Sequence, residues 1–207
     1  MRTEAGIAVA AADYVSAMRA AALVLAVAVM CVVASSSGTA ATPSRSLLNY
    51  GDSLAVGTGS FLEPYLAGWE VRDDARVGRH TGVAVRRLRS YGAGLPHVVS
   101  VSLGANDAPL RREWFRQQVL GVLEIAGDQR CVIWSTVVRP PFHGVSYDGF
   151  NEILLELDRQ FSSLRVFDWV ALARANPEWL RRDGVHPTSA GYRARAAAVA
   201  RLAKNCA

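Results

Sequence analysis

The sequence predicts an α/β protein, a three-layer α/β/α sandwich built on a five-stranded parallel sheet of flavodoxin-like type. Three observations predict it. Apolar strand-like runs alternate with amphipathic helical patterns along the chain, which specifies right-handed strand-helix-strand units. Two runs, 98–103 and 131–138, are nearly continuous in β-favouring residues, as expected for parallel strands covered on both faces. Polar, glycine-bearing segments stand just after strands, where open parallel sheets place their ligand crevice.

In order along the chain, a Pro/Ser connector over 42–45 leads into a short strand at 47–50. A helix is expected around 61–66, a second strand at 69–73, and an amphipathic stretch at 82–91. The runs at 98–103 and 131–138 are the central strands. Between them Phe115, Val119, Val122 and Leu123 recur at helical spacing, and Phe150, Ile153, Leu154 and Leu157 do the same before a fifth strand at 164–169. The last helix is expected to start near Thr188 and to bury Tyr192, Ala196, Val199 and Ala200.

The 207 residues suit one domain plus a short appendage, and 51% hydrophobic against 20% charged residues is an ordinary globular balance. Residues 1–41 read as that appendage: Arg19 precedes an apolar run over 20–34, and small residues follow to Ala41. The run is shorter than the roughly 20 residues a spanning helix needs. A cleaved signal peptide or an uncleaved amino-terminal anchor are both compatible with it, with translation starting at Met1 or Met18. Either places the domain, residues 42–207, outside the cytoplasm in the cell envelope or medium, touching a membrane only through that segment. Cys31 follows Met30, where a lipoprotein signal calls for a small residue, so lipidation is not expected there.

Removing the leader leaves Cys131 and Cys206, an even pair that in an exported protein suggests a disulfide, the alternative being two separate thiols. No His/Cys cluster has metal-ligand spacing, so neither metal nor cofactor is expected. The net charge is +5 and all but one of the 23 basic residues are arginine, a composition suited to anionic partners. No basic run interleaves with aromatics in the manner of a nucleic-acid groove, and nucleic-acid binding is not expected. The chain is expected to act as a monomer.

Four polar segments carry the chemistry: Gly51-Asp52-Ser53-Leu54 after the first strand, Gly78-Arg79-His80-Thr81 after the second, Gly104-Ala105-Asn106-Asp107 after the third, and Asp183-Gly184-Val185-His186-Pro187 before the last helix. Singly each is an ordinary turn or cap. Together and in this order they resemble blocks I, II, III and V of the SGNH/GDSL hydrolase superfamily, over about 47–192. The resemblance implies Ser53 as nucleophile, Asp183 and His186 as its activating pair, and an oxyanion hole formed by Ser53, Gly78 and Asn106. Block II departs from the family, with Ala75-Arg76-Val77 before Gly78 where Asn is common, and Gly82 is a rival for the glycine's role.

Each role has a physical reason. A serine hydroxyl needs a base to take its proton, and neutral imidazole suits neutral pH. Asp183, three residues before His186, can hold the imidazole in one tautomer and stabilise its charged form. Amide donors must meet the oxyanion that forms on attack, and a bare glycine backbone can approach it closely. Asp52 is expected to tie down the nucleophile loop and Asp107 to cap the next helix, with His80 at the rim and His97 and His143 in loops. No Gly-x-Ser-x-Gly surrounds Ser53, which disfavours the α/β-hydrolase elbow.

The expected activity is hydrolysis of a short-chain acyl ester, acetyl above all, on a cell-envelope carbohydrate, through an acyl-serine. Residues 98–192, with Trp134, Trp169 and Trp179, are also similar to the SGNH domains of proteins that O-acetylate peptidoglycan. An acyltransferase using a glycan acceptor is therefore the alternative, and a non-catalytic glycan-binding module a further one.

Overall fold

The computed structural model describes residues 45–206; the leader and Cys31 lie outside the described residues. Five strands form the sheet: β1 (Ser46–Gly51), β2 (Glu70–Ala75), β3 (Val98–Ser102), β4 (Cys131–Ser135) and β5 (Leu164–Phe167). All neighbouring pairs are parallel and the order is β2-β1-β3-β4-β5, the flavodoxin-like arrangement. Among the described residues six α-helices accompany them: α1 (Ser53–Gly59), α2 (Ala84–Arg89), α3 (Arg112–Ala126), α4 (Asp148–Gln160), α5 (Trp169–Ala175) and α6 (Ser189–Lys204).

Successive strand side chains point to opposite faces of the sheet, and the core divides accordingly. Leu48, Val99, Val132 and Trp134 pack with Leu88, Phe115, Phe150 and Leu154 on the side of α2, α3 and α4. Leu47, Val98, Ile133 and Phe167 pack with Trp169, Ala196, Val199 and Ala200 on the side of α5 and α6. Burying each Leu, Val or Phe contributes about 1.5–3 kcal/mol, so double coverage holds the central strands firmly. Their carboxyl ends become fixed points from which polar loops project.

Two local readings change. The helix expected at 61–66 shrinks to a 3₁₀ turn, Glu63–Tyr65, with Pro64 in its first turn, and the α-helix lies earlier, at α1. Proline removes a backbone donor and the cap at Asp52 starts the chain winding sooner. The fifth strand stops at Phe167 because Asp168 caps α5, its carboxylate accepting from the Ala171 amide. Trp169 consequently begins a helix rather than ending a strand.

Cys131 and Cys206 are disulfide-bonded, joining the start of β4 to the end of α6 across a sequence separation of 75. His97 lies alongside, its Nε2 3.0 Å from the Cys206 carbonyl oxygen. Closing so long a loop removes much of the unfolded chain's freedom. Cys206→Ser is expected to lower the unfolding free energy by about 2–4 kcal/mol. Urea titrations of both proteins check this, and a variant whose midpoint matches the unmodified protein would contradict it.

Candidate active site

The nucleophile segment reads residue by residue as strand end, cap and first helical turn. At Gly51 a Cβ atom would stand 2.2 Å from the Ser102 carbonyl oxygen, so only glycine lets β1 and β3 run this close. That carbonyl accepts from the Asp52 amide at 3.0 Å. Asp52, wholly buried, caps α1 by accepting from the Leu54 amide at 2.9 Å. Ser53 therefore starts α1 at the carboxyl edge of β1, where the sheet's connections diverge towards β2 and β3. Behind it Gly57 faces the Tyr192 ring, where a Cβ would lie 2.1 Å from ring carbon.

The last polar loop is closed on itself. Arg181 donates its amide to the His186 carbonyl at 2.8 Å, Gly184 turns with φ +66°, and Leu180 bridges Pro187. Inside the turn, one Asp183 oxygen accepts the amides of Val185 and His186, each at 2.9 Å, and the other lies 2.8 Å from His186 Nδ1. Thr188 then caps α6, accepting from Gly191.

Ser53 and His186, 133 residues apart in sequence, meet here: Ser53 Oγ is 3.0 Å from His186 Nε2. With Nδ1 turned to a carboxylate, Nε2 is free to accept the hydroxyl proton. The backbone amides of Val185 and His186, and then the imidazole, hold the Asp183 carboxyl down at about 2. Asp183 therefore remains an anion at neutral pH and does not compete for the proton.

Asn106 follows β3 and its side-chain nitrogen is doubly engaged, donating to Asp52 Oδ2 and to the Arg79 carbonyl, each at 3.2 Å. Gly78 sits in the neighbouring loop with φ +73° and open space where a Cβ would be, so backbone conformation is what favours glycine there. That loop is anchored to the nucleophile segment, Arg76 donating its amide to the Gly51 carbonyl at 2.9 Å. Gly82 is occupied differently: it lies in a 3₁₀ turn, and a Cβ would stand 2.9 Å from the Trp114 ring.

Asp107 does not cap α3. Its carboxylate instead accepts the Thr81 amide and hydroxyl and lies 3.1 Å from His80 Nδ1, stitching the loop after β3 to that after β2. Distance in sequence hid this pairing. His143 stands in the loop before α4.

Arg195 was not singled out from the sequence. It is 1% exposed, donates to the hydroxyls of Thr58, Ser102 and Ser135, and lies over the rings of Phe167 and Trp169. Burial pulls it down to about 10, opposed by Asp52 and Tyr192, so it stays a cation at neutral pH. Burial likewise pushes Asp52 up to about 6, opposed by the Leu54 amide and then by Arg195. The signal was present: residues 192, 195, 196 and 199 share one helical face, placing an arginine among apolar neighbours. Among the described residues, no three His, Cys, Asp or Glu side chains gather as a metal-binding group.

A serine, a histidine and an ionised aspartate in hydrogen-bonded series at the carboxyl rim of a β2-β1-β3-β4-β5 sheet define a class: the chain has the fold of the SGNH/GDSL hydrolases. The C-terminal catalytic domain of Streptococcus pneumoniae peptidoglycan O-acetyltransferase A, solved with a methylsulfonyl adduct, is similar at 21% identity and TM-score 0.60, over 78% of this chain and 90% of that one. A GDSL-like lipase from Bacteroides thetaiotaomicron is similar at 16% identity and TM-score 0.62, over 79% and 89%. A Clostridium thermocellum family 3 carbohydrate esterase is similar at 14% identity and TM-score 0.58, over 76% and 92%. No protein-family model and no curated protein sequence matches the chain.

Proposed function

We propose that this protein is an exported serine esterase that removes a short acyl group, acetyl above all, from a cell-envelope carbohydrate. The observation that carries the reading is the continuous series Ser53 Oγ to His186 Nε2 at 3.0 Å and His186 Nδ1 to Asp183 at 2.8 Å. Export is supported by the amino-terminal sequence and by a disulfide that belongs to oxidising compartments. The carbohydrate is supported by the fold shared with a carbohydrate esterase and a peptidoglycan O-acetyltransferase domain.

In this mechanism Ser53 Oγ attacks the ester carbonyl carbon while its proton passes to His186 Nε2. The carbonyl oxygen becomes an oxyanion, met by the amides of Ser53 and Gly78 and by one Asn106 hydrogen withdrawn from the Arg79 carbonyl. Each such donor is worth roughly 100- to 1000-fold in rate. Collapse breaks the bond to the alcohol oxygen, which leaves with the proton from Nε2. Water then gives a proton to Nε2, its oxygen attacks the acyl carbon, and acetate leaves as Ser53 recovers its proton.

Purified protein is expected to release p-nitrophenol from p-nitrophenyl acetate and acetate from acetylated cell-wall glycan. Mass spectrometry of products in the presence of a free glycan acceptor separates hydrolysis from transfer: acetylated acceptor forming faster than acetate would overturn the hydrolase reading for the transferase. Glycan binding without turnover of any ester would overturn catalysis itself.

A further inference from the structure

Beside the Ser53 site lies a cavity of about 640 Å³, in the size range of small-ligand sites, reached from the loop that carries Gly78. Arg76, Arg79, Arg86 and Arg87 line it, and no Asp or Glu does. Two acids touch lining residues: Asp74 is taken up by Arg79 Nη2 at 2.8 Å and Arg87 Nε at 2.6 Å, and Asp107 lies 3.1 Å from His80 Nδ1. Asp74 fixes two guanidinium groups, and with four arginines lining the cavity the wall keeps a positive excess. Arg76 and Arg86 are exposed and have no carboxylate partner among the described residues. Tyr50 also lines the cavity. It is buried beneath the Arg79 guanidinium, which lies 4.5 Å from the ring centre.

Guanidinium forks bind carboxylate and phosphate oxygens in pairs, and a concave wall of one charge concentrates anions. The loop that holds Arg76 and Arg79 is tied to the nucleophile segment through the Arg76 amide and to Asn106 through the Arg79 carbonyl, and α2, which carries Arg86 and Arg87, follows it. A group seated in the cavity is thereby held next to the acyl centre. We propose that this cavity is an anion subsite that receives the carboxylate or phosphate of a charged sugar in the esterified polymer. The assignment rests on the esterase reading for its substrate, though binding to the cavity does not depend on turnover.

The test compares mono-acetylated methyl glucoside, methyl glucuronide and methyl glucoside 6-phosphate as substrates. kcat/KM is expected to be about tenfold higher for one or both anionic esters than for the neutral one. That ratio should fall to near one in Arg76→Gln/Arg86→Gln, chiefly through KM. Arg159→Gln/Arg201→Gln, an equal loss of two charges at exposed positions of α4 and α6, should preserve it. Thermal melts followed by circular dichroism check that the variants fold.

Separately, calorimetric titration of Ser53→Ala with methyl glucuronide and with inorganic phosphate is expected to show binding that the double arginine replacement abolishes. Binding of the glucuronide alone identifies a carboxylated polymer, and of phosphate alone a phosphorylated one. An unchanged ratio and an unchanged titration in the double variant would overturn the subsite. Failure of every ester to turn over would overturn the esterase reading instead, leaving the titration to decide the subsite.

Discussion

Ser53→Ala is expected to lower kcat/KM for p-nitrophenyl acetate by about four to six orders of magnitude, and His186→Ala made in that background is expected to cost almost nothing more. The reason is that Oγ, imidazole and carboxylate act as one unit. The imidazole is held by Asp183, and its second nitrogen meets the hydroxyl at 3.0 Å. Without the hydroxyl there is no proton for Nε2 to take, and without the base the hydroxyl is a poor nucleophile at neutral pH. What survives in either variant is the work of the oxyanion donors and of binding. Single and double variants assayed side by side check this. Multiplying losses, or more than a hundredth of the original rate in Ser53→Ala, would show that another group attacks.

The strands and the long helices were legible because their signals are local. Val98–Ser102 and Cys131–Ser135 carry the β-favouring composition of doubly covered strands, and α3 and α4 repeat apolar residues at helical spacing. Three of the polar segments were legible as well, since parallel topology sends every loop that follows a strand to the same rim, and the fourth was legible from its place before the last helix. Two short helices were not. Ser53–Gly59 contains two glycines and two β-branched residues, poor helix formers, and its winding depends on the Asp52 cap and on packing against Tyr192. Trp169 reads in sequence as the end of a strand, and only Asp168 capping Trp169–Ala175 shows that it opens a helix. What Asp107 and Arg195 do was hidden for a different reason. Their partners, Thr81 and His80 for one and Thr58, Ser102 and Ser135 for the other, come from elements that only tertiary structure brings together.

Arg195 leads to the second large effect. Arg195→Ala is expected to lower the unfolding free energy by about 3–5 kcal/mol, whereas Arg195→Met is expected to lose less than half of that. The cation is held without a carboxylate in direct hydrogen bond: three hydroxyls accept from it, two aromatic rings lie under it, and its Nη1 is left without a partner. Desolvating such a group is unfavourable, so the charge itself adds little to stability. Its volume does, because α6 packs through it onto Phe167 and Trp169. Methionine refills that volume and alanine leaves a void. The charge acts instead on Asp52, whose pKa of about 6 it holds below where burial alone would set it. With a folded pKa above the unfolded one, Asp52 is a stability cost in full above about pH 6 that is relieved as pH falls toward its unfolded value of about 4. In Arg195→Met the folded value rises further, so relief should begin at higher pH than in the unmodified protein. Denaturant midpoints measured from pH 5 to 8 read both effects, and identical pH dependence in the two proteins would remove Arg195 as a partner that, after the Leu54 amide, helps keep Asp52 ionised beneath the nucleophile.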